Sequence, residues 1–292
     1  MIAAKPIVAG TDGSEESLRA VEWAAREAVL RGAPLRIVSA AAPPPWMVPL
    51  QIRPDRDTVA SLIRSKRDRA LTSAARRAAE MAPGLPVETV PLENQAAYAV
   101  TECGSGASLL VVGSRGVGAF AAMVLGSVSR FVAAHASCPV VVVRDETAAV
   151  HRRVGIGIGD LDNCADSLAL AFEEAALRKA SLLAIHAWHT PQTDISRAGH
   201  PFTAPGSCLA EEQAARALEG LLDSWREKYP DVPVSQDLVH GHPGRALAGL
   251  SARTDLVVIG RHAKHPSLQG PGAVRHAVLS HAHGTVVIVP SP

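Results

Sequence analysis

Short aliphatic runs alternate along the chain with longer segments whose apolar positions recur every three or four residues. The first describes buried parallel strands and the second amphipathic helices. Residues 7–9 form a brief run that ends in the turn Gly10-Thr11-Asp12-Gly13-Ser14. A helical pattern follows through Leu18, Val21, Trp23, Ala25, Ala28 and Val29, with two glutamates in its first turn and Gly32 at its end. Acidic residues at a helix start complement its dipole, and glycine is the usual stop. Further strands are predicted at 35–40, 87–91, 108–112 and 140–143, and further helices at about 58–81, 98–103 and 127–135. Pro43 to Pro45 and Pro49 exclude regular structure between the second strand and the second helix. The order is βαβαβαβαβ, which argues for a parallel sheet with helices on both faces.

From His151 the pattern begins again. A displacement of 150 puts Val8 on Ile158, Asp12 on Asp162 and Leu18 on Leu168. One of 147 puts Leu35 on Leu182, Ala40 on Ala187 and Gly113 on Gly260, and one of 146 puts Gly126 on Gly272 and Val141 on Val287. A domain-sized period is a tandem duplication, not a solenoid. The expected domains are 1–147 and 151–292, joined near residues 144–153. Each should be an α/β domain with an open, mostly parallel, five-stranded sheet. The last strands, 140–143 and 286–289, are almost wholly β-branched. Strands of that kind are not left as bare edges, so the two are expected to pair with each other within the chain.

Composition narrows this only a little. In 292 residues, 47% are hydrophobic but 3% aromatic, so the cores must be built from Ala, Val and Leu. A net charge of +1 gives no global attraction to nucleic acid or acidic membranes. Cys103, Cys138, Cys164 and Cys208 make no C-x-x-C pair, so reduced thiols are expected. The amino terminus lacks a signal peptide's apolar run, and no uncharged segment approaches the roughly 18 residues of a membrane span. The expectation is a soluble cytoplasmic protein.

The candidate chemistry lies in LLVVGSRGVGAFAAMVLGSVSR, residues 109–130. Gly113 and Gly116 stand two residues apart, nine more follow, and Gly126-Ser127 open a helix. Glycines let a backbone approach an anion, and the free amides and positive dipole end of a helix attract it. Ser127 and Ser129 are candidate hydroxyl donors and Arg115 a candidate cation. From spacing alone the stretch reads equally as a phosphate cradle or as a strand-to-helix loop that needs glycine anyway. No G-x-x-x-x-G-K-[ST] is present. Gly116-Val-Gly118-Ala-Phe-Ala121 satisfies the Rossmann pattern, with Asp145 beyond it, but starts too far from the strand end and is read as a decoy.

The G-x-x-G-x9-G-[ST] arrangement at Gly113, Gly116, Gly126 and Ser127 resembles the ATP-binding signature of the universal stress protein family. PIVAGTDGS at 6–14 and CPVVVVR at 138–144 resemble that family's first and last strands. The resemblance implies domains of Rossmann-like, adenine nucleotide alpha hydrolase-like type and an ATP site, with magnesium as a candidate companion ion. In it Asp12, after Gly10 and Thr11, faces the adenosine, Ala40 and Val112 line the adenine, and Gly116, Gly126, Ser127 and Val128 cradle the phosphates. It also implies a stress-response setting.

In the second copy the corresponding residues are Asp162, Ala187, Gly260, Gly272, Ala273 and Val274. Ala263 stands in place of Gly116, and Ala273 in place of Ser127. A positive φ at Ala263 and the missing hydroxyl would each cost about 1 kcal/mol, making this site roughly ten- to thirtyfold weaker. Eleven of the twelve histidines lie at or beyond His151, among them His262 and His265. They fall on different elements without an acidic or cysteine cluster, so they read as separate surface histidines and no metal site is expected. No adenylate-transfer signature and no G-x-S-x-G elbow occurs. The expected function is an ATP-binding regulatory module that is not an enzyme. A slow ATP hydrolase and a ligand-free scaffold are the alternatives. A homodimer of tandem chains is the expected assembly, with a regulatory protein partner that the sequence does not name, and with neither nucleic acid nor membrane.

Overall fold

All four residues of strand β1 (Ile7–Gly10) are buried, because it runs through the middle of a sheet covered on both faces. A computed structural model describes residues 4–40, 56–116, 125–144, 150–159, 161, 163–188, 205–261 and 272–290. Outside them lie the proline stretch 43–49, Gly118, Ala121, Asp145, Asp160, Asp162, His262, Ala263 and His265. The chain divides into two compact units, Met1–Glu146 with Thr285–Pro290, and Thr147–Gly284 with Ser291–Pro292.

In the first unit β1 is followed by α1 (Glu15–Arg31), β2 (Leu35–Ala40), α2 (Arg56–Met81), β3 (Val87–Leu92), α3 (Ala96–Glu102), β4 (Leu109–Gly113), α4 (Ser127–His135) and β5 (Val140–Val143). The short helix α3 stops at Glu102 and passes through a 3-10 turn, Cys103–Gly106, into β4. The strand order is β3-β2-β1-β4-β5-β10, where β10 (Thr285–Pro290) is the last strand of the second repeat. The first five are parallel, and β10 runs antiparallel to β5 in the register Val286↔Val142, Val287↔Val141, Ile288↔Val140. The two β-branched strands thus pair as expected. Strand β3 ends the sheet half-exposed and carries Pro91, whose missing N–H suits an edge.

Helix α1 starts at Ser14, whose Oγ accepts from the Ser17 amide, and stops at Gly32 in the left-handed conformation with φ 59°. It buries a continuous stripe of Leu18, Ala20, Val21, Ala24, Ala25 and Ala28. Val29, expected on the buried face, is 58% exposed, because it falls off the stripe that the small alanines let press onto the sheet. Successive residues of a strand point to opposite faces, and two glycines show what lies on each. A Cβ on Gly10 would meet Val100 of α3 at 3.3 Å, while one on Gly113 would meet the Glu16 carbonyl of α1 at 2.8 Å.

The second unit contains β6 (Arg153–Ile158), α5 (Ala165–Arg178), β7 (Ser181–Trp188), α6 (Pro205–Lys228), β8 (Val234–His240), α7 (Pro243–Leu250), β9 (Leu256–Arg261) and α8 (Ala273–His281). Its strands are parallel in the order β9-β6-β7-β8. Helix α7 lies so close on β6 that a Cβ on Gly157 would stand 2.5 Å from Leu247. The buried Phe172 of α5 stacks on Trp225 and Tyr229 at ring distances of 5.6 and 5.4 Å.

Hydrogen-bond register fixes the equivalence of the repeats. Ile7 pairs with Leu35 and Leu109, and Val154 with Leu182 and Leu256, so each of these positions is displaced by 147. The buried Glu27 pairs with Arg31 at 2.5 Å, and Glu174 pairs with Arg178 at the same displacement. The displacement of 150 at the first strand is therefore corrected. Helix α5 begins three residues later in register than α1.

Val287 is 1% exposed and faces Val141 at 0%. Val287→Lys places an unpaired charge there, and the first unit should lose at least about 3 kcal/mol in chemical denaturation. An unchanged midpoint would show that β10 does not support β5.

Candidate functional site

The strand order of the first unit reverses between β1 and β4, since β2 lies on the other side of β1. In open α/β sheets the crevice at the carboxyl ends of such strands receives ligands. The loops that leave β1 and β4 carry the Asp12 turn and the Gly113–Ser127 stretch, so the topology brings the two sequence signals together.

The Asp12 turn is held by its own side chains. Asp12 Oδ1 accepts from the Ser14 amide at 3.0 Å and from Ser14 Oγ at 2.6 Å. Ser17 Oγ accepts from the Asp12 amide at 3.3 Å and lies 3.0 Å from the buried Thr11 Oγ1, which accepts from the Gly13 amide at 3.2 Å. Thr11 is thus a strut of the turn. Gly13 has φ 82°, and a Cβ there would meet Ala70 of α2 at 3.2 Å, so both conformation and space require glycine.

The second loop comes in against this turn. A Cβ on Gly116 would stand 2.3 Å from Asp12 Oδ2, which places the loop backbone directly on the carboxylate. The Gly126 amide donates to the Ser114 carbonyl at 2.8 Å, and the Ser114 amide to Val143 at 2.9 Å, tying the ends of the loop to each other and to β5. Helix α4 has Gly126 as N-cap with no side-chain cap bond among the described residues, so the first-turn amides of Ser127, Val128 and Ser129 take no side-chain partner there. Ser127 is exposed there and Val128 half-buried. The Ser129 hydroxyl points the other way: it donates to the Gly113 carbonyl at 2.6 Å and is buried. Arg115 lies 3.7 Å from Glu16 at the rim of the loop. Val112 reaches over Gly10, and Ala40 ends the neighbouring strand β2.

In the second unit the same switch point, between β6 and β9, holds a cavity of about 250 Å³. Ala187, Gly260, Gly272, Ala273 and Val274 all line it, whereas Asp162 lies outside the described residues. With the displacement of 147, the position of Asp12 is taken by Gly159, which lines the cavity, and not by Asp162. Sequence reasoning missed Arg261 and Arg275, the two charged residues among the lining. They stand where the first repeat has Ser114 and Ser129, one residue beside positions that the motif comparison included. Checking charge in the columns next to the motif glycines would have found them. Burial, and then the neighbouring Arg261, pull the Arg275 guanidinium below its ordinary pKa. Gly272, the N-cap of α8, has φ 84°, and a Cβ there would lie 2.8 Å from Arg275 Nη2.

These features define a tandem pair of open-sheet α/β domains, each with a glycine-lined cradle at its switch point. The universal stress protein family model matches residues 3–144 and again 151–290. A universal stress protein of Mycobacterium bovis is 33% identical, over 97% of this chain and 96% of its own. One of Mycobacterium tuberculosis is 34% identical, over 87% of this chain and 85% of its own. The crystal structure of a universal stress protein from Archaeoglobus fulgidus shares the fold with a TM-score of 0.67 at 18% identity, covering 99% of this chain and 97% of the other. The chain belongs to the universal stress protein family. Among the described residues no helix is long and apolar enough to cross a membrane, and no group of His, Cys, Asp and Glu is placed to hold a metal ion.

The glycines of the first cradle should differ in tolerance. Gly113→Ala pushes a methyl to 2.8 Å from the Glu16 carbonyl and should destabilise the first unit by about 1–3 kcal/mol. Gly126 has φ −66° and its nearest neighbour would be 3.5 Å away, so Gly126→Ala should change thermal unfolding by less than about 1 kcal/mol. Equal melting of the two variants would contradict the close approach of β4 to α1.

Proposed function

We propose that the first unit binds ATP and that the chain works as a nucleotide-dependent regulatory module of the stress response. The observation that carries this reading is the approach of Gly116 to Asp12 Oδ2, which joins a carboxylate turn and an uncapped helix start in one crevice. A polyphosphate would lie along the glycine loop, held by the amides of Ser127 and Val128 and the Ser127 hydroxyl, with Arg115 at the rim. Oδ2 of Asp12 would accept from a ribose hydroxyl or take part in holding a magnesium ion. Val112, Gly10 and Ala40 would form the apolar wall for the base. Ser129 supports the loop from beneath and makes no ligand contact in this reading.

The chain is proposed to hold the nucleotide and not to turn it over efficiently, since the described residues of this crevice pair no general acid with a base. Binding of a ligand to one conformation shifts its population, and with it what the surface presents to a regulatory protein. The cytoplasm and a homodimer of tandem chains are the proposed setting.

Mass spectrometry of small molecules released by heat from the purified chain should find an adenine nucleotide. In calorimetry with ATP, Gly116→Val should abolish the first-unit site while circular dichroism stays unchanged. Ser127→Ala should weaken it roughly fivefold, the equivalent of one hydrogen bond of about 1 kcal/mol. Unchanged affinity in both variants would place the nucleotide elsewhere or remove it altogether.

A further inference from the structure

The two repeats end in equivalent outer strands, β3 in the first unit and β8 in the second, and finish them differently. The Leu35 amide donates to the Pro86 carbonyl at 3.0 Å, and the Leu182 amide to the Pro233 carbonyl at 2.8 Å. Main-chain groups alternate sides along a strand, so those of Val87, Thr89 and Pro91 point away from β2, and those of Val234, Gln236 and Leu238 point away from β7. The outward set is where another strand can add. In the first unit it includes Pro91, which has no N–H to offer. The second repeat has Leu238 at that position, so its outward ladder keeps every donor.

An open strand edge is a template for a further strand unless it is blocked, and β8 carries neither proline nor lysine. It also holds an unsatisfied group. Among the described residues, Gln236 Oε1 is buried without a hydrogen-bond partner, and Gln236 lies within the strand. Such an oxygen has lost its bond to water without gaining another. Gln236 shares a face of the strand with Val234 and Leu238, both half-buried, while Ser235 and Asp237 on the other face are exposed.

We propose that β8 pairs antiparallel with β8 of a second copy of this chain, about a two-fold axis at Gln236. This rests on the homodimer proposed above and names its surface. In that register Val234 of one copy lies opposite Leu238 of the other, and Ser235 opposite Asp237. Moving the axis to Asp237 would set two carboxylates directly opposite each other, which is destabilising. Gln236 meets itself, so each side-chain amide can donate to the other's buried oxygen. Val234, Gln236 and Leu238 form hydrogen-bonded pairs with two main-chain bonds in each. A contact made by the same patch on both copies closes on itself and stops at the dimer.

The experiment is sedimentation equilibrium of the full chain, with and without Leu238→Pro. The substitution copies Pro91 of the first unit and removes an N–H that points away from β7, so circular dichroism should stay unchanged. The unaltered chain should be dimeric, and Leu238→Pro should raise the dimer dissociation constant at least about tenfold. A second arm does not need that variant to fold. Ser235→Cys together with Asp237→Cys changes two exposed positions that this register sets opposite each other, and oxidation should yield a covalent dimer. Peptide mapping should find position 235 of one copy joined to position 237 of the other. A dimer that Leu238→Pro leaves intact, or a dimeric chain that does not form this cross-link, would overturn the β8 surface while the homodimer itself stands. A monomeric unaltered chain would overturn both.

Discussion

The site in the first unit depends on how closely the end of β4 lies against the first turn of α1. Only a residue without Cβ fits at Gly113, where the Glu16 carbonyl would be 2.8 Å from a methyl. That contact sets the height at which the chain leaves the sheet, and the loop can then fold back onto the Asp12 turn. The turn is prepared for it by Thr11, Ser14 and Ser17, whose hydroxyls satisfy its amides and carboxylate from inside. Buried polar groups without partners would cost about 1–3 kcal/mol each, so this small network stabilises a shape that an apolar turn could not hold.

The duplicated chain keeps its frame and changes its chemistry. Backbone pairing at the common displacement of 147, and the two buried pairs Glu27–Arg31 and Glu174–Arg178, show that both repeats are built on one plan. The frame rests on main-chain bonds and small-residue packing, neither of which depends on the residues that follow β1 and β4. Those residues are therefore open to change at little expense to folding. Loops positioned by a rigid scaffold commonly carry function for the same reason.

Most of the fold was legible in the sequence. The aliphatic runs marked the strands with errors of one or two residues, since a strand buried on both faces must be apolar at every position, as in β4 and β5. Pairing of the last strands could be inferred because β-branched edges need a partner. The exposed position of Val29 was not legible, because alanines at 20 and 24 look neutral in a hydrophobic pattern although their size decides which stripe approaches the sheet. The matching of Val8 with Ile158 failed for a different reason. Matching similar letters favours a displacement of 150, whereas hydrogen-bond register, which sequence does not display, requires 147. Arg261 and Arg275 escaped because the comparison of the repeats followed Gly260, Gly272, Ala273 and Val274, and each arginine stands one residue beyond them.

The helix starts show how far the two cradles have moved apart. Gly126 opens α4 from an extended conformation, with φ −66° and ψ 153°, while Gly272 opens α8 from the left-handed region, with φ 84° and ψ 7°. Both helices are nine residues long, and among the described residues neither has a side-chain cap. The backbone angles at the helix start therefore differ between the two units. In the first unit the approach leaves Ser129 beneath the loop, bound to its carbonyl. In the second, Arg275 folds back over its own N-cap, adding a full charge where the helix dipole already supplies a partial one. Positive potential there is doubled in source while the carboxylate of Asp12 has no counterpart at Gly159. A difference of that kind follows from three side chains and one backbone angle, on a sheet whose pairing is otherwise unchanged.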